Sequence, residues 1–245
     1  MPKTDWFHSW FHSPYYEKLY YKRDRAEAKQ FIDALLNELR PPPHAAFLDL
    51  ACGSGRHAVY LASKGFEVTG IDLSDELIEK AKRHEKDNLS FYVHDMRNEF
   101  RINYYDFTLN LFTSFGYFEN DHDNQRVVKN VFKGLKLNGI FVLDFFHSEK
   151  IISTLVKSER KEVNGTSFEI KREMQDGFII KTIRVDDHGK SSEFFERVRA
   201  FTPGELEKLF DGSGFLIKAK FGSYDLKPFE KNSDRFILIA QKTHA

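Results

Sequence analysis

Between residues 46 and 145 short apolar runs alternate with segments of helical periodicity, and this alternation restricts the fold more than any other feature of the chain. The apolar runs lie at 46–50, 67–71, 90–93, 105–111 and 140–145. Helical segments are expected over about 56–63, over 74–84, and from Asp121 or Asp123 through Val127, Val128, Val131, Phe132 and Leu135. Gly65 stands where a left-handed cap would end the first of these. Ser74 is an N-cap for the second, with Asp75 and Glu76 in its first turn. The last apolar run follows the turn Asn138-Gly139 and is nearly unbroken, as in a strand covered on both faces.

The rhythm stops near Glu149. Runs at 168–174, 178–185 and 193–201, separated by Asp176-Gly177 and Asp187-His188-Gly189, predict an antiparallel meander. Thr202-Pro203-Gly204-Glu205 opens a capped helix that ends near Gly212 or Gly214, and strands are expected at 215–221 and 235–241. Before the first strand, Trp6, Phe7, Trp10, Phe11, Tyr15, Tyr16, Tyr20 and Tyr21 crowd a segment that leads into a helix bearing Ala28, Phe31, Ile32, Leu35, Leu36 and Leu39. Pro41-Pro42-Pro43 ends that helix. The predicted fold is α/β: a doubly wound, mostly parallel, seven-stranded Rossmann-like sheet with an antiparallel insertion after strand five and an N-terminal helical segment. A single domain is expected, made of a helical cap (1–44), a core (45–149), the insertion (150–201) and a C-terminal helix with two strands (202–245).

Lys plus Arg and Asp plus Glu each number 37, so the net charge is zero and no basic field attracts a polyanion; nucleic acid is not an expected partner. The lone cysteine, Cys52, rules out an intrachain disulfide. No apolar run approaches the ~18–20 residues that span a bilayer, and Met1-Pro2-Lys3-Thr4-Asp5 is unlike a secretory signal, so no membrane is expected and the cytoplasm is the default location. His8, His12 and His147 lack metal-ligand spacing, and no metal is expected. The sequence sets no oligomeric state.

The richest local signal runs from Phe47 through Leu48-Asp49-Leu50-Ala51-Cys52-Gly53-Ser54-Gly55 to Arg56: a buried strand, a bend with two glycines, and a helix start. Glycines allow a sharp turn and let a ligand approach the backbone. Residues 53–58 satisfy G-x-G-x-x-G/A, so the glycines alone fit a dinucleotide as well as a ligand with no phosphate. Tyr60 and Lys64 match the Y-x-x-x-K spacing of short-chain reductases, but on the helix after the bend that spacing is fortuitous.

Asp49-Leu50-Ala51-Cys52-Gly53-Ser54-Gly55 closely resembles the first motif of class I S-adenosylmethionine-dependent methyltransferases, and the similarity extends over about residues 45–146. The layout, with its helical start and its insertion after strand five, resembles the small-molecule branch. The resemblance implies in-line transfer of a methyl group from S-adenosylmethionine to a small-molecule acceptor. It implies that Ala51, Cys52 and Gly53, in the bend with Gly55, line the methionine part of the cofactor. Asp49 either joins them or only hydrogen-bonds the turn. Asp72 accepts the ribose hydroxyls, unless it merely precedes the Ser74 cap. Leu73 covers one adenine face, Asp95 takes the adenine amino group and the Met96 amide meets a ring nitrogen. Asn110, Leu111 and Phe112 lie near the sulfur.

Tyr20, with Tyr15 and Tyr16, is a candidate cap of the cofactor cleft and is counted with the cofactor-binding residues, and Arg25 is either a partner of the methionine carboxylate or a solvated charge. His147 is the first choice for a base that takes the acceptor's proton, ahead of Asp144 and Tyr117. The insertion is expected to form a flap or small sheet over the acceptor pocket. Leu137-Asn138-Gly139 departs from the family's commoner Pro-Gly-Gly without functional consequence. Three other readings stay open: an NAD(P)-dependent oxidoreductase, a non-catalytic S-adenosylmethionine-binding protein, and a nucleic-acid methyltransferase. The last is disfavoured by the zero net charge and by Asn110-Leu111-Phe112-Thr113 standing where Asn-Pro-Pro-Tyr would be.

Overall fold

Strand β1 (Ala46–Leu50) lies between two parallel neighbours, and the chain leaves it in opposite directions across the sheet. The computed structural model describes residues 6–20 and 25–244, with the side chains of Phe7, His8, Arg25 and Ala26 outside that set. The readings placed on Tyr21, His8 and Arg25 thus fall outside the described residues. Helices α1 (Trp6–Phe11), α2 (Pro14–Leu19) and α3 (Arg25–Leu39) precede β1; α4 (Arg56–Ser63) follows it and leads to β2 (Glu67–Asp72). Then come α5 (Asp75–Lys82), β3 (Leu89–Val93), β4 (Tyr105–Asn110), α6 (Asp121–Gly134) and β5 (Leu135–Phe146).

An antiparallel unit interrupts: α7 (Ser148–Ser153), β6 (Ser158–Val163), β7 (Thr166–Gln175), β8 (Phe178–Asp187) and β9 (Lys190–Arg199). The chain returns through α8 (Pro203–Asp211) to β10 (Phe215–Phe221) and β11 (Arg235–Lys242). The seven-stranded sheet has the order β10-β11-β5-β4-β1-β2-β3, with only β11 running against its neighbours. This is the doubly wound sheet expected from the alternation, and its order reverses at β1, where open α/β sheets bind their ligands.

The period-two pattern of the strands feeds two apolar layers. Phe47, Val68, Phe107, Val142 and Ile239 pack toward α3, α4 and α5, with Phe47 and Phe107 stacked at 4.7 Å. Leu48, Leu50, Phe141, Leu143 and Leu238 pack toward α6 and α8. The caps follow from residue chemistry. The Ser74 hydroxyl accepts the Leu77 amide at 3.2 Å, and Thr202 with Glu205 closes a capping box. At α6 the cap is Asn120, whose side chain accepts the Asp123 amide at 2.8 Å, so the helix begins at the earlier of the two expected positions.

The insertion forms a separate four-stranded sheet, one strand more than expected. The extra strand β6, Ser-Glu-Arg-Lys-Glu-Val, buries only Val163, so it carries almost no apolar signal; the turn Asn164-Gly165, with φ of 48° and 76°, returns it to β7. One face of this sheet carries Val163, Phe168, Ile170, Ile183 and Val185, and onto it pack Trp6, Trp10 and Leu19 from α1 and α2. The Trp10 indole N–H donates to Glu196 Oε1 at 2.7 Å, and the Tyr20 hydroxyl donates to the same oxygen at 2.5 Å. Trp6 and Trp10 are thus part of the core of the antiparallel unit and, with Leu19, fasten α1 and α2 to it. No helix of the described residues is long and apolar enough to cross a membrane.

Candidate functional site

A cavity of about 400 Å³ opens at the carboxyl ends of β1, β2, β3 and β4 and is closed from the other side by α1 and α2. That volume lies within the ~300–1,000 Å³ usual for small-molecule pockets. Asp49, Ala51, Cys52 and Gly53 line one end, Asp72, Leu73, Asp95 and Met96 the middle, and Leu111, Phe112, Ser114, Tyr117, Phe11, Tyr16 and Tyr20 the remainder.

The bend after β1 is left-handed at Ala51 (φ 59°) and at Gly53 (φ 57°). A Cβ on Gly53 would meet nothing within 4 Å and would project into open space, so this glycine keeps the floor of the cavity clear. Gly55, at φ 83°, serves a different purpose. A Cβ there would lie 2.6 Å from the Phe91 ring, so its bareness lets α4 close down on β3. Gly55 does not line the cavity, which corrects its expected place among the ligand-contacting residues.

Asp72 ends β2 with its carboxylate aimed back at the bend. Oδ2 accepts the Gly53 amide at 2.8 Å and Oδ1 the Ser74 amide at 2.9 Å. The Leu73 amide also hydrogen-bonds this carboxylate. Burial raises the Asp72 pKa, and the amides of Ser74 and Gly53 oppose that rise. Asp49 is 1% exposed, its Oδ2 has no hydrogen-bond partner in the protein, and burial pushes its pKa up to about 7. Nearby His57, also buried, is driven down to about 3 by burial and by the Arg56 charge, so it is neutral at physiological pH. The Arg56 guanidinium lies 4.2 Å from the centre of the Phe112 ring. Burial also raises the Cys52 thiol, which favours a packing role over a nucleophilic one.

Asp95 is held by Arg97 through both oxygens, at 2.6 to 3.1 Å; burial pushes its pKa up, and the guanidinium outweighs burial and leaves it below the usual carboxylate range. After β4 the backbone is left-handed at two successive non-glycine residues, Phe112 (φ 57°) and Thr113 (φ 58°). Such strain persists where surroundings enforce it. Here Asp144 Oδ2 takes the Phe112 amide at 2.7 Å, and Arg235, paired with Asp144 at 2.6 Å, donates to Thr113 Oγ1 at 2.9 Å. Asp144 is therefore a buried structural acceptor.

Two further expectations are corrected. His147 is buried away from the cavity: it caps α7, its Nδ1 lies 3.0 Å from the Ser233 carbonyl and its Nε2 3.3 Å from Glu149. It offers no proton acceptor to a ligand in the cavity. Asn110 is fully buried, and its amide donates to the Leu50 carbonyl at 2.9 Å, tying β4 to β1 beneath the site. The insertion is not a direct flap either. It contributes none of the described lining residues and reaches the cavity through α1, α2 and Tyr117. Of the candidate capping tyrosines, Tyr16 and Tyr20 line the cavity, while the Tyr15 hydroxyl pairs with Asp187 on the new sheet.

Sequence reasoning passed over Phe11, Glu17, Ser54, Leu77, Ser114 and Phe118, all of which line the cavity. Phe11 and Glu17 had a faint signal, because they flank the tyrosines already singled out. Leu77 lies in the first turn of α5, and Ser54, Ser114 and Phe118 come from turns and loops whose direction no periodicity encodes.

Residues 42–202, about two thirds of the chain, match the family described as a methyltransferase domain. A putative methyltransferase of Bacillus subtilis is 28% identical over 213 residues, which cover 82% of this chain and 86% of the relative. The dTDP-3-amino-3,4,6-trideoxy-α-D-glucopyranose N,N-dimethyltransferase of Streptomyces venezuelae is 23% identical over 215 residues, 83% of this chain and 89% of that protein. The crystal structure of an S-adenosylmethionine-dependent methyltransferase from Clostridium acetobutylicum superposes with a TM-score of 0.81 at 22% identity, covering 94% of this chain and 96% of that one.

Proposed function

Since the chain belongs to the methyltransferase domain family and is an S-adenosylmethionine-dependent methyltransferase, we propose that it methylates a small-molecule acceptor held in the same cavity as the cofactor. One observation carries the proposal: a single cavity joins a carboxylate-lined, glycine-floored end to an aromatic end. The Streptomyces venezuelae relative, named for an amino sugar, supports an acceptor of that size. The oxidoreductase reading falls with family membership.

The residues present fit the cofactor. Asp72 lines the cavity with a carboxylate, whose two oxygens suit the two hydroxyls of a ribose. The space above Gly53 is open, and Asp49 has an oxygen without a protein partner for an ammonium tail. Leu73 and Met96 provide apolar surface for adenine beside Asp95. These assignments place Asp49, Ala51, Cys52, Gly53, Asp72, Leu73, Asp95 and Met96 on the donor, and Leu111 and Phe112 beside the transferred carbon.

When bound, S-adenosylmethionine supplies a methyl group already made electrophilic by its sulfonium. The protein's share is alignment and exclusion of water. Phe112, pinned by Asp144 and Arg235, fixes the wall between the two ends of the cavity. Leu111 is 4% exposed and Phe115 fully buried, so the floor there is dry. Phe11, Tyr16, Tyr20 and Tyr117 shape the acceptor end.

Calorimetry with S-adenosylhomocysteine and with NAD, followed by methyl transfer from labelled S-adenosylmethionine into small-molecule and nucleic-acid pools, tests the proposal. Binding of the homocysteine product, no binding of NAD and label confined to small molecules are expected. Label in nucleic acid alone would sink it.

A further inference from the structure

The acceptor end of the cavity has a wall chemistry that selects a class of substrate. Phe11, Tyr16 and Tyr20 come from the N-terminal helices and Tyr117 from the loop after β4. Their rings meet at steep angles: Phe11 and Tyr16 at 87° and 5.0 Å, Tyr16 and Tyr20 at 64° and 5.1 Å, Phe11 and Tyr117 at 48° and 5.7 Å. Rings so inclined form the sides of a box rather than a stack. Two of the hydroxyls are turned to protein: Tyr117 donates to the Thr113 carbonyl at 2.6 Å, and Tyr20 to Glu196 at 2.5 Å. What Tyr117 offers a ligand is chiefly its electron-rich ring, while one face of the Tyr20 ring already carries the Lys181 ammonium, 4.6 Å from its centre.

The charges point the same way. Among the described lining residues stand four carboxylates, Glu17, Asp49, Asp72 and Asp95, against one guanidinium, Arg56, and no lysine. Three of the four lie at the donor end. Glu17, next to Tyr16 on α2, pairs with Lys80 of α5 at the rim, 2.9 Å away. An anionic acceptor would meet repulsion here, and a neutral alcohol would gain little from ring faces. A cation is attracted by both ring faces and carboxylates.

We infer that the acceptor is an amine, entering as its ammonium form and held on the ring faces of Phe11, Tyr16, Tyr20 and Tyr117. The inference rests on the methyltransferase reading and narrows it. The bound ammonium releases one proton to water, which frees a nitrogen lone pair. That pair forms the new N–C bond while the S–C bond breaks and leaves its electrons on sulfur. The product is again an ammonium, so each transfer releases one proton overall.

Choline and 3,3-dimethylbutan-1-ol have the same shape and differ in charge, which makes them the probes. Each is titrated into full-length protein saturated with S-adenosylhomocysteine, whose sulfur is uncharged. The readout is calorimetry together with tryptophan emission, to which Trp6, edge-on to Tyr117 at 5.5 Å, contributes. Choline is expected to bind about tenfold or more tighter than the alcohol. Tyr117→Leu should shrink that preference to about threefold or less while leaving affinity for S-adenosylhomocysteine within about twofold. Where Tyr117→Leu does not fold, Phe11→Leu takes its place, with product affinity reporting the folded state. Equal affinity for the two probes, absence of choline binding, or a preference that survives the substitution in a folded variant overturns the inference while the methyltransferase reading stands. Failure of S-adenosylhomocysteine itself to bind overturns both.

Discussion

The two walls of the cavity are built by opposite means. The parallel-sheet wall is made of backbone: a left-handed bend at 51–55, strand ends and helix caps, with partners close in the chain or on the adjoining strand. The facing wall is made of side chains on short helices, oriented by contacts with a separate sheet: Trp10 with Glu196, Tyr20 with Glu196 and Tyr15 with Asp187 are separated by 186, 176 and 172 residues. Backbone geometry changes little when side chains change, so the first wall suits a ligand that never varies. Side chains on a detachable platform can be exchanged without disturbing the sheet, so the second suits the partner that distinguishes one enzyme from another.

The sharpest way to break this contrast is with glycine. Gly55→Ala would place a Cβ 2.6 Å from the Phe91 ring at φ 83°, and the added crowding and strain should cost roughly 2–4 kcal/mol. Gly189→Ala on the antiparallel sheet has a similar φ of 82° but nothing within 4 Å of the new atom, and should cost only about 1 kcal/mol. Denaturant midpoints measure both. Equal costs would mean that the parallel wall is no more tightly packed than its counterpart. Next in size is Asp72→Ala, which should weaken S-adenosylhomocysteine about 10²-fold in calorimetry, as expected for losing two hydrogen bonds to a charged acceptor. A loss under about tenfold would reduce Asp72 to a support for the bend and for α5.

A smaller effect separates the walls by pH. Asp49, with its pKa raised to about 7, favours the folded state most below its ordinary range near 3.8, and that stability is lost as pH rises through 7. His57, lowered to about 3, does the reverse: its stability is complete above its ordinary value of 6.5 and is lost as pH falls toward 3. Between about pH 4 and 6.5 the two slopes oppose one another, each by up to about 1.4 kcal/mol per pH unit. Relative to the unaltered protein, Asp49→Asn should therefore gain stability with rising pH across this window and His57→Gln should lose it. Urea midpoints at three pH values decide the signs.

The same division explains what could be read from the chain. Asp72, Ser74 and the capping box at Thr202 are legible because their partners lie within a few residues or at a strand end fixed by the alternation. The strand β6 is illegible because Val163 alone of its residues is buried. His147 was placed correctly in the chain, just past β5, but not in space. The segment between β10 and β11 covers it, with Phe229 packed on its ring at 4.9 Å and the Ser233 carbonyl taking Nδ1. Nothing near residue 147 announces a partner 86 positions away. Gly55 was legible as a glycine that matters, but its reason is Phe91, on a strand two places over in the sheet.

The finest test concerns Tyr20, which the sequence groups with the donor and the structure hangs on the antiparallel sheet. Glu196 holds it: one oxygen receives the Tyr20 hydroxyl and the Trp10 indole, and the other lies 3.2 Å from Lys181. Glu196→Gln keeps the shape, removes the charge and leaves a weaker acceptor for two donors, at a cost of about 1 kcal/mol. If the facing wall serves the acceptor alone, the KM for an acceptor amine should rise about three- to tenfold, with kcat and S-adenosylhomocysteine affinity within about twofold. If product affinity falls in step with KM, Tyr20 touches the donor as well. The antiparallel sheet would then position both substrates, and the division of labour between the walls would hold for Phe11, Tyr16 and Tyr117 but not for the residue that joins them to Glu196.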